Sequence, residues 1–214
     1  MIKSQDFLIL IKLIGLQKEQ LRRTHYPLLN QNYYDLNSTH TMPYDSILNE
    51  LLSLRGLGNS LGISKTEIGA SLRRSVDNKL LMFVDSQNNG LLSLNESEWQ
   101  VNKRALFDLV KYAIPYYFAP KQLGLNYGLA TGFSAPLLSK ELTSAGTTPF
   151  VWPSEYGMSY GQAVEPIYKS VPFASSSDSF VYNCFALIDA YRMGKAREKE
   201  IAIGLLEQEI MGGR

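Results

Sequence analysis

Between Ser53 and Asp77 the chain reads SLRGLGNSLGISKTEIGASLRRSVD, and this stretch constrains the fold more than any other. Leu54, Leu57 and Leu61 fall on one face of a short helix. Gly62 then supplies a residue that tolerates positive φ, as a tight turn after a helix requires. Ser64, with Glu67 three positions later, forms the reciprocal S-x-x-E box that starts a second helix. That helix places Ile68, Leu72 and Val76 at spacings of four for burial, and shows Lys65, Thr66, Gly69, Ala70 and Arg73 on the opposite face. Leu80 to Asp85 and Leu91 to Leu94 are short apolar runs around Ser86-Gln87-Asn88-Asn89-Gly90, the pattern of a β-hairpin with an Asn-Gly turn.

Helix, glycine turn, capped helix and hairpin, in that order, describe a helix-turn-helix with a wing. The exposed face suits DNA. A first turn carrying small and polar side chains can enter the major groove. Gly69 and Ala70 remove bulk, so the backbone can approach base edges. Ser64 and Thr66 offer hydroxyls, and the Thr66 methyl can touch thymine. Lys65 and Arg73 reach guanine or phosphate, with Arg55 and Arg74 flanking and Asn88 at the wing tip. From Arg55 to Lys79, five basic residues (Arg55, Lys65, Arg73, Arg74, Lys79) stand against Glu67 and Asp77, a local charge of +3.

The segment resembles the winged helix-turn-helix of bacterial transcription regulators, the MarR-like group in particular. The resemblance rests on Leu61-Gly62-Ile63-Ser64-Lys65-Thr66-Glu67-Ile68, Leu72-Arg73-Arg74 and Leu80-Leu81. It implies sequence-specific binding of double-stranded DNA, often by a symmetric dimer. Two features depart from that pattern. The wing carries Asp85 and no Lys or Arg, and the link from Gln17 to Pro43 is long.

The flanking regions give the rest of an α+β chain. Phe7, Leu8, Leu10, Ile11, Ile14 and Leu21 predict a helix from Lys3 to Arg23 with one apolar face, and Asp6 suits its dipole. Residues 24–42 read as a polar insertion. Ser97 to Phe118 reads as an amphipathic helix broken near Pro115. Residues 121–172 are rich in Gly, Pro, Ser and Tyr, with a hairpin expected between Phe150-Val151-Trp152 and Gln162-Ala163-Val164. Two helices close the chain. One is Phe180 to Met193, capped from Ser175-Ser176-Ser177-Asp178 and ended by Gly194. The other is Lys195 to Met211, burying Ile201, Leu205, Leu206 and Ile210. The expected division is a DNA-binding domain over 1–95 and a connecting helix with a loop-rich effector or interaction region over 96–214.

Composition narrows the chemistry. The formal net charge of +1 over 214 residues excludes indiscriminate coating of nucleic acid. One cysteine, Cys184, allows no internal disulfide and reads as a buried small hydrophobe. With only His25 and His40 besides, no metal or cofactor is expected. No apolar stretch near the start spans a bilayer, and no cleavage site follows it, so the expected compartment is the cytoplasm.

Other patterns are weaker than their bland readings. Gly56-x-Gly58-x-x-x-Gly62 has the wrong spacing for a dinucleotide loop. Gly132-Phe133-Ser134-Ala135-Pro136 lacks the second glycine of a nucleophile elbow. Glu155 and Glu165 read as solvated loop charges rather than a catalytic pair, and no enzyme activity is expected. Tyr112, Tyr116, Tyr117, Tyr127, Trp152, Tyr156, Tyr160 and Tyr168 are expected to fill the core, the alternative being an effector pocket or a protein interface. The expectation is a homodimeric repressor; the other reading is a winged-helix protein-interaction module, such as the neutralising component of a toxin system.

Overall fold

The computed structural model describes residues 1–25, 44–83, 94–95, 98–138 and 148–212. The expected Asn-Gly turn, Asn88 included, and nearly all of the 24–42 insertion lie outside them. The described residues form a mixed α+β fold.

Helix α1 (Ser4–His25) is buried on every side from Gln5 to Ile14, not along one face. The run FLILIKLI is apolar all round, and such a helix must be covered all round. Helices α4, α5 and α8 and strand β2, defined below, provide the cover. Charge inside such a helix is tolerated only when paired. Gln5, Asp6 and Lys12 are buried, and each has a partner. The Lys12 ammonium, for example, donates to Asp178 Oδ2 at 2.7 Å.

Helix α2 (Tyr44–Leu52) packs Leu48 and Leu52 inward. Helix α3 (Leu54–Leu61) starts at Ser53, whose hydroxyl accepts from the Gly56 N–H at 2.9 Å, and buries Leu57 and Leu61. Gly62 follows with φ 63° and ψ 36°. Helix α4 (Lys65–Asp77) then runs from its Ser64 cap, with Ile68 and Leu72 fully buried. Its C-terminus makes the 6→1 and 5→2 bonds of a Schellman motif, Leu80 N–H to the Ser75 carbonyl and Lys79 N–H to Val76. The left-handed position there is Lys79, at φ 56°.

Strand β1 (Leu81–Phe83) pairs antiparallel with β2 (Trp99–Val101), Leu81 opposite Val101 and Phe83 opposite Trp99. Strand β2 lies where a helix was expected to begin, and the strand expected at Leu91 to Leu94 lies, but for Leu94, outside the described residues. Trp99 and Val101 are buried while Gln100 is exposed, a period of two. Val101 also fits the helical spacing of Ala105, which concealed the strand. Helix α5 (Lys103–Tyr112) starts instead at Asn102, whose Oδ1 accepts from the Ala105 N–H. It breaks before α6 (Ile114–Tyr117), with Pro115 in the first turn.

Strand β3 (Gln122–Ala130) runs antiparallel to both β4 (Phe150–Pro153) and β5 (Ser159–Val164). Two strands antiparallel to the same third are parallel to each other, and β4 and β5 pair in that sense, closing a small three-stranded barrel. The hairpin expected between them is thus corrected. Closure brings backbones very near. A Cβ on Gly128 would lie 1.8 Å from the Trp152 carbonyl oxygen. A short helix α7 (Val171–Ser177) occupies part of the expected cap cluster. Asp178 is the cap of α8 (Ser179–Met193), accepting from the Val181 N–H. Helix α9 (Ala196–Met211) buries Ala202, Leu206 and Ile210, with Ile201 and Leu205 only half-buried. One continuous apolar core joins α1 through α9. None of the described helices is long and apolar enough to cross a membrane.

Candidate nucleic-acid interface

The turn and cap fix where α4 points its first residues. At Gly62 the αL backbone closes α3, and a Cβ there would press on Phe173 and Ser170 of the α7 region. Ser64 Oγ accepts from the Glu67 N–H at 3.3 Å. The Glu67 carboxylate does not complete the reciprocal half of the box. It accepts from the Gln5 side chain of α1 instead. The signal for that competitor lay 62 positions away in sequence.

Lys65, Thr66 and Arg73 are exposed, and Gly69 and Ala70 are half-exposed beside them. Lys65, Gly69 and Arg73 form one stripe, about 12 Å from first to last at 1.5 Å per residue. A Cβ on Gly69 would meet nothing closer than a Leu54 methyl at 4.0 Å. Open space on that side means glycine is not required by packing. Arg55 on α3 is exposed as well. Among the described residues, no hydrogen bond or ion pair holds Lys65, Arg73 or Arg55.

Arg74 is a correction. Its guanidinium grips Asp6 with both arms, Nε at 3.1 Å and NH2 at 2.7 Å. Asp6 is fully buried and also accepts from Ser71 Oγ and from the Lys3 N–H. The hydrogen bond to Asp6, more than its charge, holds the Arg74 pKa above the usual arginine value. Arg74 therefore clamps α4 to α1 and is not available to a phosphate. One charge leaves the local excess read from sequence. Asn88 lies outside the described residues.

A second polar cluster went unread. On α8, Asp189 Oδ2 accepts from Trp152 Nε1 at 2.6 Å and Thr131 Oγ1 at 3.0 Å, while Oδ1 accepts from Arg192 at 2.7 Å. Arg192 also donates to the carbonyls of Phe118 and Glu165. Burial pushes the Asp189 pKa up, against the pull of Arg192, Trp152 and Thr131. A charged i, i+3 pair inside an apolar helix was the available signal. All its visible partners are structural, tying α6, β3, β4 and β5 to α8. Cys184 on the same helix is buried, and burial raises its thiol well above the usual range.

Most of the tyrosines are corrected too, although Tyr168 packs half-buried against the core as expected. Trp152 is fully buried, but Tyr116 and Tyr117 are each 82% exposed, and Tyr112, Tyr127, Tyr156 and Tyr160 also face outward. Tyr112 lies on α5, and Tyr116 and Tyr117 on α6. For Tyr127 and Tyr160 the cause is register. β4 pairs with β3 only from Gly128 onward, so Gln122 to Tyr127 with the start of β5 stand as an exposed ribbon. Ala163 and Val164 at the end of β5 are buried. Tyr127 and Tyr160 pack on the ribbon with ring centroids 4.9 Å apart and planes tilted by 50°. Glu165 pairs with Lys121 at 3.1 Å, and Ser134 Oγ accepts from the Phe150 N–H. No three His, Cys, Asp or Glu side chains cluster as a metal site among the described residues.

No family model matches the chain, and no curated protein or solved structure matches it.

Proposed function

We propose that this chain is a sequence-specific DNA-binding transcription regulator of winged helix-turn-helix type, a repressor acting as a homodimer. Helix α4 reads the major groove through Lys65, Thr66, Gly69, Ala70 and Arg73, with Ser64 at its cap and Arg55 on a neighbouring phosphate. The observation that carries the reading is the contrast along α4 itself. Its inner face is sealed by Ile68, Ser71, Leu72 and the Arg74–Asp6 clamp. Its outer face carries two unengaged cations and an open glycine. Few phosphate contacts per subunit imply a shallow dependence on salt. The test is enrichment of random double-stranded oligonucleotides by the full chain at two salt concentrations. A partly palindromic site is expected, lost in the Lys65→Ala, Arg73→Ala double variant. Retention of normal binding by a folded double variant would refute this face.

The exposed ribbon favours a second reading, a protein-interaction module. Leu123, Leu125, Tyr127, Met158 and Tyr160 form an outward apolar surface of the kind aromatic anchors make at interfaces. No oligonucleotide selection, with a stoichiometric protein partner lost on Tyr127→Ser, would favour it.

A further inference from the structure

A cleft of about 540 Å³ opens between the second half of α1, α2, β2 and the start of α5. That volume is in the range of small-molecule sites. Its lining is rich in carboxamides, among them Gln17, Asn49 and Gln100, beside Trp99, Glu98 and Lys103.

Gln17 Nε2 donates to the Trp99 carbonyl at 2.9 Å, which fixes the orientation of the amide. Its Oε1 is buried and accepts nothing among the described residues. With that burial Gln17 holds the Trp99 carbonyl in place and forms the floor of the cleft, out of a ligand's reach. Asn49 and Gln100 make no side-chain hydrogen bond among the described residues, and Lys103 has no ion-pair partner there. Trp99 Nε1 is committed to the Leu94 carbonyl, which leaves only apolar ring surface for a ligand. Burial, with Lys18 nearby, lowers the Lys103 pKa.

Each group selects a piece of ligand. Carboxamides offer a donor and an acceptor, and so does each hydroxyl group. Lys18 is engaged by the carboxylate and carbonyl of Glu209, which leaves the Lys103 ammonium to match one anionic group. Glu98 on the lining disfavours a second negative charge.

We propose that this cleft binds a small hydroxylated monocarboxylate of the sugar-acid class, its carboxylate on Lys103 and its hydroxyls on Asn49 and Gln100. Helix α2 leads into α3, and β2 pairs with the strand that follows α4. A ligand there touches both sides of the unit proposed to read DNA. That regulatory consequence rests on the DNA-binding reading; the site itself does not.

The test titrates the full chain with D-gluconate and D-glucuronate, following tryptophan fluorescence, with D-glucose, acetate and glucose 6-phosphate as comparisons. A saturable change with a sugar acid is expected, and binding at least about tenfold weaker for each comparison compound. Lys103→Met and Asn49→Ala should each weaken the sugar acid about tenfold at an unchanged Tm. Trp99→Phe should remove the signal, because Trp152 is sealed in the core. Arg73→Ala should bind the sugar acid like the parent whatever happens to DNA, which separates failure of this site from failure of the DNA reading. No saturable change, undiminished binding in folded Lys103→Met, preference for glucose 6-phosphate, or a signal surviving Trp99→Phe would each overturn the proposal.

Discussion

Helices α4 and α8 both carry basic side chains, and the fold treats them in opposite ways. On α8 the single arginine is engaged by a carboxylate and two carbonyls, with only 2% of its side chain exposed. On α4 two neighbours divide: Arg74 is clamped to Asp6 while Arg73 stands in solvent. A count of charges therefore overstates what a partner can use. Only cations without an internal carboxylate can neutralise a phosphate, and burial of the opposing acid is the sign that a cation has been withdrawn.

This contrast can be broken experimentally. The largest effect is expected at Asp189→Ala, which leaves Arg192 buried and unpaired and should cost about 3–5 kcal/mol in urea unfolding. A loss below about 1 kcal/mol would mean that the α8 pair is not the tie described. Next come the adjacent arginines. Arg73→Ala should weaken binding to an enriched site by about 1–3 kcal/mol, with stability within about 0.5 kcal/mol of the parent. Arg74→Ala should show the reverse emphasis, a clear loss of stability from stranding Asp6. Identical behaviour of the two would erase the distinction.

Smaller effects sharpen the picture. Gly69→Ala adds a methyl to open space, so helix stability should rise by about 0.5–1 kcal/mol while DNA affinity falls. Weaker unfolding resistance in that variant would show that glycine serves packing. Alkaline pH probes the barrel edge. The Tyr182 hydroxyl donates to the Ala130 carbonyl at 2.8 Å, and burial pushes its pKa up to about 12. The unfolded phenol titrates near 10, so over that interval the folded chain keeps a proton that the unfolded chain releases. Stability from this group should be full below pH ~10 and fall as pH rises toward ~12. Tyr182→Phe should flatten that part of the profile in denaturation curves.

Local chemistry was the legible part. Gly62, Ser64, the Ile68 and Leu72 stripe and the Asp178 cap all follow from residues within a turn of one another, and the structure places each as expected. What sequence concealed was decided at a distance. Glu67 fits a capping box, yet Gln5 reaches it first. Trp99 to Val101 are too few to show a period of two against a competing helical spacing. Tyr127 and Tyr160 looked like core because aromatic residues usually are, but pairing register left them on an exposed ribbon. The parallel pairing of β4 with β5 depends on β3, which no local pattern announces.

The bond from Lys12 to Asp178 joins residues 166 positions apart. During synthesis, the stretch from Phe7 to Ile14 is made long before the helix that covers one of its sides. Until α8 emerges, that side of the apolar segment lacks its cover. Helix α1, against which α4 packs and whose second half lines the cleft, thus acquires its final cover only when nearly nine-tenths of the described chain exists. A protein broken off earlier would leave that apolar face open, an aggregation hazard.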